Sequence, residues 1–180
     1  MTIDTFNPRG QLNAVVETPR GSRNKYKYDD KLGLYKVHKL LPTGIIFPFD
    51  FGFLPSTRGP DGDPLDVLVL MDEPAAVGCV VPARLAGVIE ARQTQDGRTS
   101  RNDRLIGVAV SSHQYEEAQS IRDLRPELLD QIETFFVVYN ELQGRTFKPL
   151  GRYGASHALK LIRAGEAEFK RSNNGSKRRP

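Results

Sequence analysis

A single cysteine, Cys79, in 180 residues rules out an internal disulfide and suits a reducing compartment. Long apolar runs are missing too. None approaches the length of a membrane span, and the first residues carry no charged-then-apolar signal pattern. Zinc-ligand spacing, an aromatic RNA-binding signature and a helix-turn-helix pattern are all absent, so the formal charge of +4 is poor ground for a nucleic-acid partner. Much of that excess sits in Lys170 to Pro180, where Lys170, Arg171, Lys177, Arg178 and Arg179 meet no acidic residue. With Asn, Gly and Ser between the charges, residues 170–180 are predicted to be a disordered, solubilising tail. The expectation is a cytoplasmic protein with no nucleic-acid and no membrane partner.

At 38% apolar and 27% charged, residues 1–180 suffice for one domain with a real core. Residues 1–12 are polar and read as an irregular arm. Asn13 to Glu17, Lys25 to Tyr28 and Leu34 to Leu41 have strand character, the last broken by Pro42 and Gly44. Val67 to Leu70, Gly78 to Leu85, Gly87 to Ala91 and Leu105 to Val110 are further short β-branched runs separated by turn residues. After Pro126 the pattern changes: Leu128, Leu129, Ile132, Phe135, Phe136 and Tyr139 fall at helical spacing, with Gly144 as a stop. Ala155 to Phe169 is a second amphipathic helix. The predicted class is α+β: a small, mostly antiparallel barrel flanked by two C-terminal helices.

The chemistry concentrates in Gly59 to Pro74, GPDGDPLDVLVLMDEP, where Asp61, Asp63 and Asp66 crowd against a wholly apolar run. Like charges so close repel, and burial worsens the repulsion. Gly62 permits a tight turn and Pro64 fixes its own backbone angle, so the acids can converge. All-oxygen ligation of this kind suits Mg²⁺, Mn²⁺ or Ca²⁺ better than zinc. On composition alone the loop suits a solvated surface turn equally well.

His38, His113 and His157 lack ligand spacing, and Cys79 in the run VGCVV reads as an inert, buried thiol. Glu133 and Glu141 are expected on the exposed face of their helix. Phe47, Phe49, Phe51 and Phe53 read as core packing rather than a ligand cage.

The segment Asp61-Gly62-Asp63-Pro64-Leu65-Asp66-Val67 resembles the signature of the family I soluble inorganic pyrophosphatases. Glu17 after Val15-Val16, the pair Lys25-Tyr26, Phe47-Pro48 and Phe51-Gly52-Phe53 follow in the family's order, as does Ser112 to Tyr139. The likeness runs from Asn13 to Ile162. It implies an OB-like barrel, Mg²⁺ dependence with Mn²⁺ as a substitute, a cytoplasmic home and, in bacterial members, hexamers. The activity implied is hydrolysis of pyrophosphate to two orthophosphates. By the same likeness Asp61, Asp66 and Glu17 are metal ligands and Asp63 takes the proton of the attacking water. Lys25, Lys39, Arg104 and Tyr139 then bind the substrate. Physical chemistry agrees with this picture: cations held by carboxylates let an acidic pocket accept a polyanion and lower the pKa of a bound water. The alternative is a non-catalytic relative that binds a metal or polyphosphate.

The chain departs from the family at several of these places. Lys27 stands where a glutamate is usual, Lys39 replaces an arginine, Phe47 and Phe51 replace tyrosines, and Asn140 replaces a lysine that Lys148 or Arg145 could substitute. In the hairpin between Gly87 and Leu105 the family carries two metal-binding aspartates, and alignment places Gln93 and Asn102 there. Asp103 is taken as the replacement ligand, on condition of a β-bulge that turns it inward, with Asp96 or Glu90 as other candidates. Amides are poorer Mg²⁺ ligands, so a high half-saturating Mg²⁺ is expected.

Overall fold

Val67 to Leu70 form most of β5 (Asp66–Leu70), and all four side chains are fully buried. The two faces of this strand serve different cores. Leu68 and Leu70 pack with Phe47, Phe51, Ile132 and Phe136, whereas Val67 and Val69 pack with Val16, Leu54, Ala158 and Ile162. A strand covered on both sides has no use for polar alternation, which explains the unbroken apolar run.

The computed structural model describes residues 3–29 and 31–176, Gly175 and Ser176 by backbone alone. β1 (Leu12–Thr18) pairs antiparallel with β4 (Asp50–Phe53), which pairs antiparallel with β5. β5 runs parallel to β8 (Arg104–Ala109), which lies antiparallel to β6 (Val80–Gln95). β6 returns to β1 and closes the barrel. β7 (Arg98–Arg101) and β9 (Thr146–Gly154) extend the far half of β6, and β2 (Asn24–Asp29) pairs with β3 (Leu34–Leu40) in a separate hairpin. With α1 (Pro126–Glu141) and α2 (Ala155–Ser176) flanking it, this is the α+β, OB-like barrel expected from the sequence.

Several readings need correction. The runs on either side of Ala86 are one strand, β6, with a bulge between Leu85 and Gly87 that bends it from one set of partners to the next. Residues 170–176 belong to α2 rather than to a disordered tail; residues 177–180 lie outside the described residues. Propagating an existing helix costs little, and ion pairs one turn apart, Arg163–Glu166 and Arg171–Glu168 at 2.7 Å each, support it. Cys79 is exposed, not buried, because it lies in the turn before β6 begins. Glu133 is half-buried and bonds Arg152 at 2.8 Å, tying α1 to β9.

Two contacts set the frame of the functional cleft. The buried Asp50 accepts from the backbone N–H groups of Arg20 and Ala75, at 2.7 Å each, and pins the segments that follow β1 and β5. α2 crosses the start of the acidic loop: the Gly165 carbonyl accepts from Arg58 N at 3.0 Å. A Cβ on Gly165 would stand 2.9 Å from Leu65 Cδ1, so a larger residue there would have to displace the Leu65 side chain.

Candidate active site

Beside the barrel, a cleft of about 530 Å³ opens between the β2–β3 hairpin, the Gly59–Asp66 loop and the strands β6 and β8. Glu17, Lys25, Lys39, Asp61, Asp63, Asp66, Arg104 and Tyr139 all line it, although they come from widely separated parts of the chain. Gly62, at φ +91°, makes the loop turn, and Gly59 N donates to the Asp63 carbonyl across its base at 2.7 Å. The turn sets Asp61, Asp63 and Asp66 along one wall of the cleft.

Those acids are unequally compensated. Asp66 bonds Arg104 at 2.7 Å, and Asp63, largely exposed, lies 3.6 Å from Lys27 Nζ. Burial pushes Glu17 up to about 6, against the attraction of Lys25 and with help from Asp66. The Asp61 carboxyl is likewise raised, chiefly by desolvation and then by Asp66 and Asp63, against the Asp63 N–H.

Because the folded-state pKa of Glu17 lies above its ordinary value of 4.5, the charged carboxylate weakens the metal-free fold. The stability that goes with the neutral carboxyl is fully present below pH 4.5 and is lost as pH rises through about 6. Glu17→Gln is therefore expected to stabilise the chain in EDTA by about 2 kcal/mol at pH 8 and to do little at pH 4. Urea unfolding at the two pH values checks this.

The opposite wall is cationic. Lys25 and Lys39 face each other across β2 and β3, a pairing of like charges that costs stability unless an anion lies nearby. Both ammonium groups approach the Tyr139 ring, at 5.8 and 5.9 Å from its centroid, and Lys39 also donates to Gln143 Oε1. Desolvation lowers the Lys39 pKa, with Lys25 and Arg145 acting in the same direction against Tyr139. Burial opposes ionisation of Tyr139, but Lys25, a Gln143 hydrogen bond and Lys39 together hold its phenol below the ordinary value. Arg145 lines this wall as well, together with Asn140, and Lys148 does not.

Arg104, only 4% exposed, sits over the Phe136 and Phe147 rings at 4.7 and 5.3 Å. Phe47, Phe49 and Phe51 are buried as core residues.

The hairpin overturns one expectation. Asp103 does not face the cleft. It accepts from Ala91 N at 2.9 Å and from Arg101 Nε and Nη2 at 3.0 and 2.9 Å. Arg101 also bonds Glu90, which bonds His157, each at 2.7 to 2.8 Å. No bulge turns Asp103 inward, so strict alternation leaves Asn102 and Arg104 facing the cleft with Gln93. Asp96 lies at the tip turn and, like Glu90, does not line the cleft. His38 does line the cationic side, although its isolation in sequence gave no sign of it.

Among the described residues, no three His, Cys, Asp or Glu side chains form a ready-made metal cage. The open acidic wall nonetheless fits Mg²⁺, which keeps several waters and uses one or two carboxylates together with substrate phosphate oxygens. Glu17, Asp61 and Asp66 are the acids available to such an ion.

A family model described as inorganic pyrophosphatase matches residues 14–170. A Synechocystis sp. protein named inorganic pyrophosphatase is 35% identical over 153 residues, 85% of this chain and 88% of its own. One of the same name from Thermus thermophilus is 36% identical over 162 residues, covering 88% and 90%. A crystal structure of inorganic pyrophosphatase from Thermus thermophilus superposes with a TM-score of 0.85 at 34% identity, over 94% of this chain and 97% of that one.

Proposed function

The chain belongs to the inorganic pyrophosphatase family, and from that premise we propose that it hydrolyses pyrophosphate to two orthophosphates with Mg²⁺, or Mn²⁺ in its place. The observation that carries this reading is a cleft with acids on one wall, two of them left short of cations, facing Lys25, Lys39 and Arg145 on the other. A polyanion alone would be repelled by the first wall and a cation alone by the second. A metal–phosphoanhydride pair satisfies both.

In this reading Glu17, Asp61 and Asp66 hold the divalent ion. When bound, the ion neutralises substrate charge and lowers the pKa of a water. Asp63, exposed at the mouth, takes the proton of the attacking water. Lys25, Lys39, Arg145 and Tyr139 orient the substrate and offset charge gathering on the leaving phosphate. Phe47 and Phe51 contribute packing instead of hydroxyl donors. Assembly into a hexamer and a cytoplasmic location complete the proposal, on the family's likeness.

Phosphate release from pyrophosphate in millimolar Mg²⁺ tests it, with EDTA as the control. Turnover that vanishes with the metal supports the enzyme. Metal or polyphosphate binding without any turnover leaves only the non-catalytic relative.

A further inference from the structure

We propose that the Gln93–Asn102–Arg104 side of the cleft is a direct oxyanion subsite, where amide and guanidinium donors hold one phosphoryl group with no metal ion between. The proposal rests on the pyrophosphatase reading and adds how one half of the substrate is held.

The hydrogen-bond polarity of this wall is set by Arg104. A guanidinium only donates, so the Asn102 atom that meets Arg104 Nη1 must be the side-chain oxygen. The Asn102 amide nitrogen is then the atom that reaches Gln93, at 2.9 Å, and it too only donates, so it must meet the Gln93 oxygen. Each amide oxygen thus already meets one internal donor. An uncharged oxygen shared in this way is a poorer ligand for a divalent ion than a carboxylate. The donor end of Gln93 is left for the cleft.

The other acid of the hairpin, Asp103, is turned away and held by Arg101 and Ala91 N. Arg104 brings its guanidinium to the same wall, where Nη1 meets Asn102 Oδ1 and, at 2.7 Å, Asp66; its buried Nε finds no acceptor among the described residues. A free amide donor beside a guanidinium recognises an oxyanion, and charge-assisted contacts to phosphate oxygens are the strong kind.

The probe is methylenediphosphonate, a non-hydrolysable diphosphonate, titrated calorimetrically in EDTA against the wild type and the near-isosteric variant Gln93→Glu/Asn102→Asp. We expect the wild type to bind it without metal and the variant to bind it about tenfold or more weakly. In the absence of anion, electron paramagnetic resonance of Mn²⁺ is expected to count one more ion per chain in the variant. Gln93→Glu alone, at the rim of the hairpin, repeats both measurements should the double variant melt early. Equal diphosphonate affinity in variant and wild type, or an unchanged Mn²⁺ count, overturns the proposal. Neither readout uses turnover. A wild type that binds the diphosphonate yet never hydrolyses pyrophosphate would sink the enzymatic reading and leave the subsite standing.

Discussion

Asp63→Asn is expected to lower phosphate release from pyrophosphate by about 10²–10⁴-fold, the range typical for loss of a positioned general base. Its structural footprint is small. The Asp63 side chain is 67% exposed, and among the described residues its one ion pair is the 3.6 Å contact to Lys27. Exposed pairs contribute about 0–1 kcal/mol, so the melting temperature of the variant should stay close to that of the wild type. The Gly59 N bond to the Asp63 carbonyl does not involve the side chain, and the loop keeps its turn. A large kinetic loss on an intact fold would place the proton acceptor at this position. Wild-type turnover in the variant, measured over a range of Mg²⁺, would move the base elsewhere in the cleft.

Arg104→Ala is expected to reduce stability in EDTA by about 3–4 kcal/mol, because removing one partner of a largely buried ion pair strands the other. Asp66 would lose its 2.7 Å contact, and the Asn102 and Asp103 carbonyls would lose donors at 3.2 and 3.0 Å. The guanidinium also packs on Phe136 and Phe147, so truncation leaves a void in the core. Millimolar Mg²⁺ should recover part of the loss, since an ion at Asp66 replaces the missing positive charge. Arg104→Lys keeps the charge but loses the planar stack, and a smaller loss follows. Urea unfolding of the three proteins, with and without Mg²⁺, tests the ranking; no recovery by Mg²⁺ in Arg104→Ala would separate Asp66 from the metal.

The two helices and the buried strand were legible because their signals are local. Helical spacing from Leu128 to Tyr139 and an unbroken run at Val67–Leu70 are properties of neighbouring residues. β9 and β7 were not legible. β9 has Gly and Pro within it, and β7 is four polar residues at a hairpin tip; each exists because β6 offers it a partner. Cys79 was misread for a similar reason: an apolar neighbourhood in sequence says nothing about which residue falls in the turn.

The candidate site divides in the same way. By itself the sequence determined that three carboxylates gather around a glycine turn ahead of a buried strand, since their convergence needs only the loop's own backbone. Tertiary structure alone decided what faces them. Whether Asp103 or Asn102 points inward depends on the register of β7 and β8 on β6, and that register is held by Ala91 and Arg101 bonding Asp103. That Arg104 pairs with Asp66, while burial of Glu17 outweighs the attraction of Lys25, depends on strands distant in the chain meeting at one cleft. Charge balance is a property of distance in space, which residue order does not encode directly.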